Sequence, residues 1–241
     1  LVVVQLPCFL FLLWFWSWLR ARCSDPALVL IATAGLAVGT NYLAYSLSFV
    51  SHAPTAALAF VCFAFICAGQ RPFLVGNLIG LMTVLEYHGI FTSLILFVHA
   101  LWVFRGRRAL AWLLGGIGIH VLLLLGFQQA AFGGPLRTPF QYLEDQRLIE
   151  DHRRGFLGLG LPRLDALVPL CLNRAIGLFG TSPFSWLALL APMVAWRRSA
   201  VRWAAVMFFV LPVAVSGLKN WGGGWSIGPR YLVTLAPFAA F

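Results

Sequence analysis

Apolar runs separated by short polar breaks follow one another along the whole chain. Most are close in length to the roughly 17–25 residues that a membrane-spanning helix needs. Nine runs can be delimited, at residues 1–19, 27–50, 53–68, 73–85, 88–104, 109–132, 183–196, 203–218 and from 231 onward. The pattern predicts an all-α fold, a polytopic transmembrane helical bundle of eight or nine spans, because the short runs 73–85 and 88–104 are either two spans or partly re-entrant. We expect 1–241 to be a single transmembrane domain, with 133–182 inserted in it as a long non-cytoplasmic loop carrying a surface helix.

Composition excludes a soluble domain. Hydrophobic residues make up 61% of the chain and charged residues only 10%, and the mean hydropathy is +0.89. Soluble domains carry about 25% charged residues, so water could not solvate a surface this poor in charge and lipid must do so. Ten tryptophans and 21 phenylalanines suit lipid-facing and interfacial positions.

The two ends of the sequence are unlike natural termini. The chain begins at Leu1 without a methionine and stops at Phe241 inside an apolar run. We therefore expect a fragment that lacks at least one segment before Leu1 and more after Phe241.

The basic residues gather in the breaks between apolar runs, and this fixes the predicted orientation. The net charge is +10, and nine of the 17 Lys and Arg residues lie in four breaks: Arg20, Arg22, Arg71, Arg105, Arg107, Arg108, Arg197, Arg198 and Arg202. Cytoplasmic loops are rich in Lys and Arg, and strict alternation of spans puts all four breaks on one side. His52, Glu86, 133–182 and 219–230 are then non-cytoplasmic, as expected of a multi-pass protein in a bacterial inner or plasma membrane. The chain has no continuous basic face for nucleic acid, which is excluded as a partner.

Glu86 is the one acidic residue within the apolar runs, with Tyr87 beside it. Intramembrane ionisable groups are costly and are functional candidates by default, although a structural carboxylate near the outer interface would have the same pattern. His52 lies at a tight outer turn, where it contacts substrate, caps a helix or simply packs there. A zinc site from His52, Glu86, His88 and His152 lacks an i,i+4 ligand pair. The five cysteines form no CxxC pair and are expected to pack as small apolar residues.

The segment 219–231, called the glycine loop below, is the most specific signal in the sequence. Three consecutive glycines between Trp221 and Trp225 let the backbone approach a ligand closely. The two indoles can stack on a sugar ring, while Lys219 and Arg230 lie where a phosphate headgroup would be. The alternative is a flexible loop with interfacial tryptophan anchors.

The glycine loop also resembles that of a known family. The segment from Trp221 to Tyr231, WGGGWSIGPRY, looks like the WWGGWSFGPRYL-type loop of bacterial polytopic glycosyltransferases of the GT-C superfamily. These are family-39-like proteins, distantly similar to protein mannosyltransferases and the aminoarabinose transferase. Weaker similarity precedes it in the expected order, at 41–52, 86–87, 132–138 and 177–183.

The resemblance implies transfer of a sugar from a polyprenyl-phosphate-linked donor at the outer membrane face. Its catalytic acidic residue is expected in an outer loop before Leu1, so the catalytic residue is unknown here. Arg230 with Lys219 would stabilise the leaving phosphate, and Arg137 is a weaker candidate for the same task. No cofactor is evident, and a divalent metal is compatible but not required. The alternatives are a non-enzymatic transporter or flippase-like lipid carrier, or another outer-face enzyme of polyprenyl phosphate such as a lipid hydrolase.

Overall fold

The computed structural model describes residues 2–153, 158–224 and 226–241, and this part of the chain is helical and has no β-strand. The all-α prediction is confirmed there. The α-helices are α1 (Gln5–Arg20), α2 (Pro26–Val38), α3 (Tyr42–Leu47), α4 (His52–Cys67), α5 (Pro72–Leu85), α6 (Gly89–Val103), α7 (Arg107–Phe132), α8 (Gln146–Arg153), α9 (Leu164–Leu172), α10 (Leu178–Thr181), α11 (Ala191–Ala195), α12 (Ser199–Ser216) and α13 (Ala236–Ala240). Three 3₁₀ segments cover Pro139–Tyr142, Pro183–Leu189 and Arg230–Leu235.

Local chemistry sets several helix boundaries. The Asp25 carboxylate accepts the backbone N–H groups of Ala27 and Leu28 at 2.8 and 3.4 Å, which caps the start of α2. Pro72 begins α5, a position where its missing N–H costs nothing. Gly133 ends α7 in the left-handed conformation, at φ +69°.

Among the helices that the structure describes, two are long and apolar enough to cross a membrane by length and composition. They are α7, with 26 residues, and α12, with 18. The other long apolar helices, α1, α2, α4, α5 and α6, have 13 to 16 residues. The prediction of eight or nine spans therefore stays a prediction.

Three of the predicted runs are not single α-helices. The run 27–50 is divided between α2 and α3, because the chain turns at Gly39–Asn41 and Phe184 packs against Gly39. The run 183–196 is a 3₁₀ segment followed by the short α11, each with a proline near its start. The last run also begins as 3₁₀ before α13.

Helix α4 lies at the centre of the bundle, and Phe60 on it is fully buried. The ring centroids of Phe15, Trp18 and Phe238 lie 5.1–5.4 Å from that of Phe60, each edge-on. Such pairs gain dispersion and quadrupole energy beyond simple burial. This aromatic packing joins α1, α4 and α13.

Helices α5 and α7 approach each other through glycines. A Cβ on Gly76 would collide with the Leu113 carbonyl, and one on Gly116 with the Phe73 carbonyl. A Cβ on Gly80 would lie 2.6 Å from the His120 Cβ, and the His120 Nε2 lies 3.2 Å from the Asn77 amide oxygen. Small residues at a helix–helix contact allow the two backbones to approach this closely.

Candidate functional site

His52 and Glu86 meet where two helices end. His52 is the first residue of α4, and Glu86 follows the last residue of α5 in an extended conformation. The imidazole Nδ1 lies 2.9 Å from Glu86 Oε1, with only 12% and 11% of the two side chains exposed. The oxygen lies off the N–H direction, since Nδ1 has no aligned hydrogen bond. The two side chains are therefore in close contact without an aligned hydrogen bond.

Aromatic side chains surround this pair. The ring of Tyr45, on α3, meets the His52 ring edge-on at 5.3 Å between centroids. The Tyr231 ring, in the 3₁₀ segment Arg230–Leu235, also meets the His52 ring edge-on, at 6.4 Å between centroids. Tyr231 also packs against His88, at 4.2 Å between ring centroids. Polar atoms thus lie within a mostly aromatic wall, which weakens solvent screening and strengthens charge interactions.

Arg230 completes the group at the start of its 3₁₀ segment. Its Nη2 donates to the Tyr231 hydroxyl at 3.1 Å, while its Nε is buried without a partner. The Arg230 guanidinium carbon also lies 5.0 Å from the centre of the Tyr231 ring, and that ring packs against His52. Arg230 therefore contacts the aromatic wall around His52 through Tyr231. We call Tyr45, His52, Glu86, His88, Arg230 and Tyr231 the polar cluster.

The glycine loop is tied to distant parts of the chain by Asn41. The Asn41 side-chain amide donates to the Thr181 hydroxyl at 3.0 Å and to the Ile227 carbonyl at 3.4 Å. Its backbone N–H donates to the Ser182 hydroxyl at 3.0 Å. Gly228, at φ +70°, packs directly against Asn41 and Thr181, so a side chain there would collide with both. These contacts hold the loop, and with it Arg230, in a defined place.

An apolar groove of about 590 Å³ ends beside the polar cluster. Its walls come from α1, including Val4, Phe11 and Trp14, and from α4 between Pro54 and Val61. Ser51 and Leu85 also line it. These two residues immediately precede His52 and Glu86 in the sequence. The groove and the His52–Glu86 pair are therefore adjacent.

A second, smaller recess borders the cluster on another side. His88 and Tyr231 line it together with Asp151 and Lys219. Lys219 is exposed, and its backbone N–H donates to the Gly158 carbonyl at 2.9 Å. An isolated antiparallel β-bridge between Leu159 and Leu218 joins the two chain segments at this point. The predicted Lys219 is thus a neighbour of the cluster rather than part of it.

The remaining predicted residues have other surroundings. The Tyr87 hydroxyl accepts from Gln128 Nε2 at 3.3 Å, and its ring packs on Phe140. Trp221 is half-buried against the core. Arg137 is exposed, and its Nη1 donates to the Phe132 carbonyl at 3.3 Å, so its hydrogen bond stabilises the local turn after α7. Trp225 lies outside the described residues.

Three contributors were not predicted as substrate-site residues: Tyr45, Asn41 and His88, which was considered only for a zinc site. Tyr45 sits in an apolar run, where a tyrosine is also typical of the membrane interface. Asn41 was noted only as the start of a similar segment, and nothing local in the sequence indicates partners some 140 residues away. Within the described part of the chain, no three His, Cys, Asp or Glu side chains are grouped to hold a metal ion. The side chain of His152, which the four-residue zinc site would need, is outside that part.

Comparison of the chain with protein-family models, curated proteins and solved structures finds no match.

Proposed function

We propose that the chain belongs to a multi-pass membrane glycosyltransferase of the GT-C type, which takes a sugar from a polyprenyl-phosphate-linked donor at the non-cytoplasmic face. The observation that carries the proposal is the meeting of an apolar groove with the polar cluster at Ser51–His52 and Leu85–Glu86. A lipid phosphate has the same two parts, a long apolar tail and an anionic head. The likeness of the glycine loop to that family supplies the reaction class.

The surface of α7 supports a lipid environment. The helix is roughly 39 Å long at 1.5 Å per residue, enough to cross a hydrocarbon core of about 30 Å. Only 11% of its most apolar stretch is buried within the protein, and Leu122, Leu123 and Phe127 on it are exposed. The shorter apolar helices are roughly 20–24 Å long and would cross where the bilayer thins around them. Eight or nine spans follow on this proposal.

Basic side chains at helix ends support the proposed orientation. The Arg22 guanidinium lies 4.0 Å from the centre of the Trp18 ring, and Arg105 lies 4.9 Å from that of Trp102. Stacked Arg–Trp pairs suit a membrane interface, where the indole meets the acyl boundary and the cation meets headgroups. The positive-inside rule makes this end cytoplasmic. The polar cluster then faces the other side of the membrane.

The groove has the dimensions of a ligand site. Its volume falls within the roughly 300–1,000 Å³ typical of ligand pockets, and it runs along α4 for about seven residues, or roughly 10 Å. A polyprenyl tail lying there would bring its phosphate to the groove end at Ser51 and Leu85, beside the polar cluster that contains Arg230. The guanidinium would pair with phosphate oxygens and stabilise the charge that grows as the sugar departs.

A groove-filling substitution tests this function. Leu58→Trp places a large ring in the groove, whereas Leu122→Trp places the same ring on the exposed face of α7. We expect purified full-length Leu58→Trp protein to bind a long-chain donor about tenfold more weakly, because the larger ring occupies groove volume that the tail would fill, and each CH₂ group of the tail left unburied costs about 0.8 kcal/mol. Binding of a short-chain analogue should change little, and the Leu122→Trp control should match wild type. Equal donor binding by both variants would contradict the groove assignment, and donor binding without sugar transfer would favour the lipid-carrier alternative.

A further inference from the structure

A second apolar cavity, called the cleft below, lies between α6 and α7 and has a volume of about 280 Å³. Val84 lines it from α5, Leu94 from α6 and Val121 from α7. Leu94 is 60% exposed and Val121 is 46% exposed. The cleft is therefore open at the side of the helix bundle, which on the proposed function faces lipid.

The polar groups of the cleft are already paired within the protein. Among the described residues that line it, Thr83, Ser93 and His120 have polar side chains. The Ser93 hydroxyl donates to the Ile79 carbonyl at 2.9 Å, and the Thr83 hydroxyl donates to the Ser93 oxygen at 3.2 Å. His120 Nε2 lies 3.2 Å from the Asn77 amide oxygen. An occupant therefore meets an apolar wall, which fits a hydrocarbon chain better than a polar molecule.

The cleft ends beside the polar cluster. Val84 lines it two residues before Glu86, at the end of α5. Ile90 lines it two residues after His88, at the start of α6. The adjacent Leu85 lines the apolar groove instead, and neighbouring residues on an α-helix point roughly 100° apart. Two apolar cavities therefore reach the loop between α5 and α6 from different sides of α5.

The end of the cleft at this loop is next to uncharged polar groups. The Tyr87 hydroxyl accepts from Gln128 Nε2 at 3.3 Å. Gln128 lies about one helical turn beyond Leu124, which lines the cleft. A phenol hydroxyl and a carboxamide can both donate to and accept from the hydroxyl groups of a lipid head group.

We propose that the cleft holds a hydrocarbon chain of the acceptor, and hence that the sugar acceptor is a membrane lipid with a hydroxyl-bearing head group. The inference rests on the proposed function, which assigns the apolar groove to the donor tail. The groove, at about 590 Å³, has room for a long polyprenyl tail, and the cleft, with about half that volume, has room for a shorter chain. In the transfer, the acceptor oxygen bonds to the anomeric carbon, and its proton passes to the acidic residue expected in a loop before Leu1. The bond from that carbon to the phosphate oxygen breaks, and its electron pair leaves with polyprenyl phosphate.

The test uses the purified full-length protein in phosphatidylcholine vesicles that contain a diacylglycerol or a glucosyl diacylglycerol as acceptor. Glycerol and methyl glucoside are the matching soluble acceptors without a chain. Leu94→Trp and Val121→Trp each place a large ring in the cleft. The controls Val98→Trp and Leu122→Trp place the same ring at exposed positions of α6 and α7 outside it.

We expect wild type to transfer sugar to at least one of the two lipids about tenfold faster than to its soluble counterpart, because burial of the chain strengthens acceptor binding. Both cleft variants should raise the KM for that lipid about tenfold, since the ring excludes part of the chain. The KM for the donor should stay within about twofold, because the groove and the cleft share no lining residue. The two controls should match wild type in both constants.

Photolabelling adds a measurement that does not depend on turnover. A diacylglycerol with a diazirine at the end of one chain should label the cleft faces of α6 and α7 in wild type and in both controls. Labelling there should be lost in the two cleft variants, while their thermal unfolding matches that of the controls. Labelling spread evenly around α7 would mean that the cleft holds no particular lipid and would overturn the inference.

The kinetic outcomes separate the inference from the proposed function. If wild type binds donor but uses the soluble acceptors as well as the lipids, or uses none of the four, the lipid acceptor is wrong and the donor site stands. If the lipids are used and all four tryptophan variants match wild type, any chain in the cleft belongs to a structural lipid and the inference is also wrong. If wild type does not bind donor, the proposed function fails, and the acceptor role that rests on it fails too.

Discussion

The Arg230 side chain lies across Gly223, so that a Cβ on this glycine would be only 2.8 Å from Arg230 Nε. Gly223 also has φ +71°, a conformation that glycine adopts without cost and alanine does not. The first of the loop glycines, Gly222, has open space around it. Of these two loop glycines, Gly223 is the one whose lack of a side chain makes room for Arg230, and Gly222 has no such contact.

Gly223→Ala should weaken donor-analogue binding by about fivefold to tenfold, because strain and contact together cost roughly 1–2 kcal/mol and shift Arg230. Gly222→Ala is the matched control and should bind as wild type does. Isothermal titration with the purified full-length protein measures both. Identical affinities for the two variants would mean that the loop does not position Arg230 for the donor.

Arg230 itself should be sensitive even to a conservative change. A charge-assisted hydrogen bond contributes about 1.5–3 kcal/mol, so Arg230→Ala should lower donor affinity roughly tenfold to a hundredfold. Arg230→Lys should recover only part of this, because lysine lacks the planar fork that pairs with two phosphate oxygens. Arg137→Ala removes an exposed arginine bonded within its own turn and should have no effect. Full function in the lysine variant would instead indicate simple anchoring at the membrane surface.

Labelling from one side of the membrane tests the orientation. In a cysteine-free background, Leu136→Cys should react with an impermeant thiol reagent added from the non-cytoplasmic side. Leu136 is 81% exposed, in the segment after α7. Gly106→Cys, at the exposed start of α7, should react only after the membrane is opened. The reverse pattern would remove the basis for an outer-face polar cluster.

The contact between α5 and α7 should tolerate no added carbon at Gly76. Gly76→Ala forces a Cβ into the Leu113 carbonyl, so the helices must separate at a cost of roughly 1–3 kcal/mol. Gly115→Ala, also in α7 but with nothing within 4 Å, should leave stability equal or slightly higher. Thermal unfolding of the two variants in the same detergent gives the comparison. A Gly76→Ala protein as stable as Gly115→Ala would show that this packing is looser than the structure has it.

The sequence pattern predicts the regular helices well and the broken ones poorly. The polar break at Glu86–Tyr87 correctly separates α5 from α6, because a carboxylate and a hydroxyl interrupt two apolar runs at one place. The turn at Gly39 is hidden, since glycine in an apolar run is also common inside membrane helices. It forms because Phe184 and Ser182 pack there, and such distant contacts leave no local signal.

The candidate site likewise contains residues that the sequence indicates locally and residues that only the fold brings together. Arg230 and Tyr231 are adjacent to an unusual glycine run, so the sequence points to them. The 2.9 Å approach of His52 to Glu86 depends on α4 and α5 being antiparallel neighbours with their ends level. Each residue alone is a plausible helix cap or interface residue. Only the fold makes them a pair.

The turn at Gly39–Asn41 has a consequence for how the chain is made. The Gly39 carbonyl accepts from the Phe184 N–H at 3.0 Å, and the Asn41 N–H donates to Ser182, 141 residues further along. At a synthesis rate of roughly 5–20 residues per second, these partners leave the ribosome about 7–28 s after the turn does. During that interval the polar groups of the turn lack these two partners. The arrangement of α2 relative to α3 is therefore completed only after residues 182–184 have been made, later than either helix can form by itself.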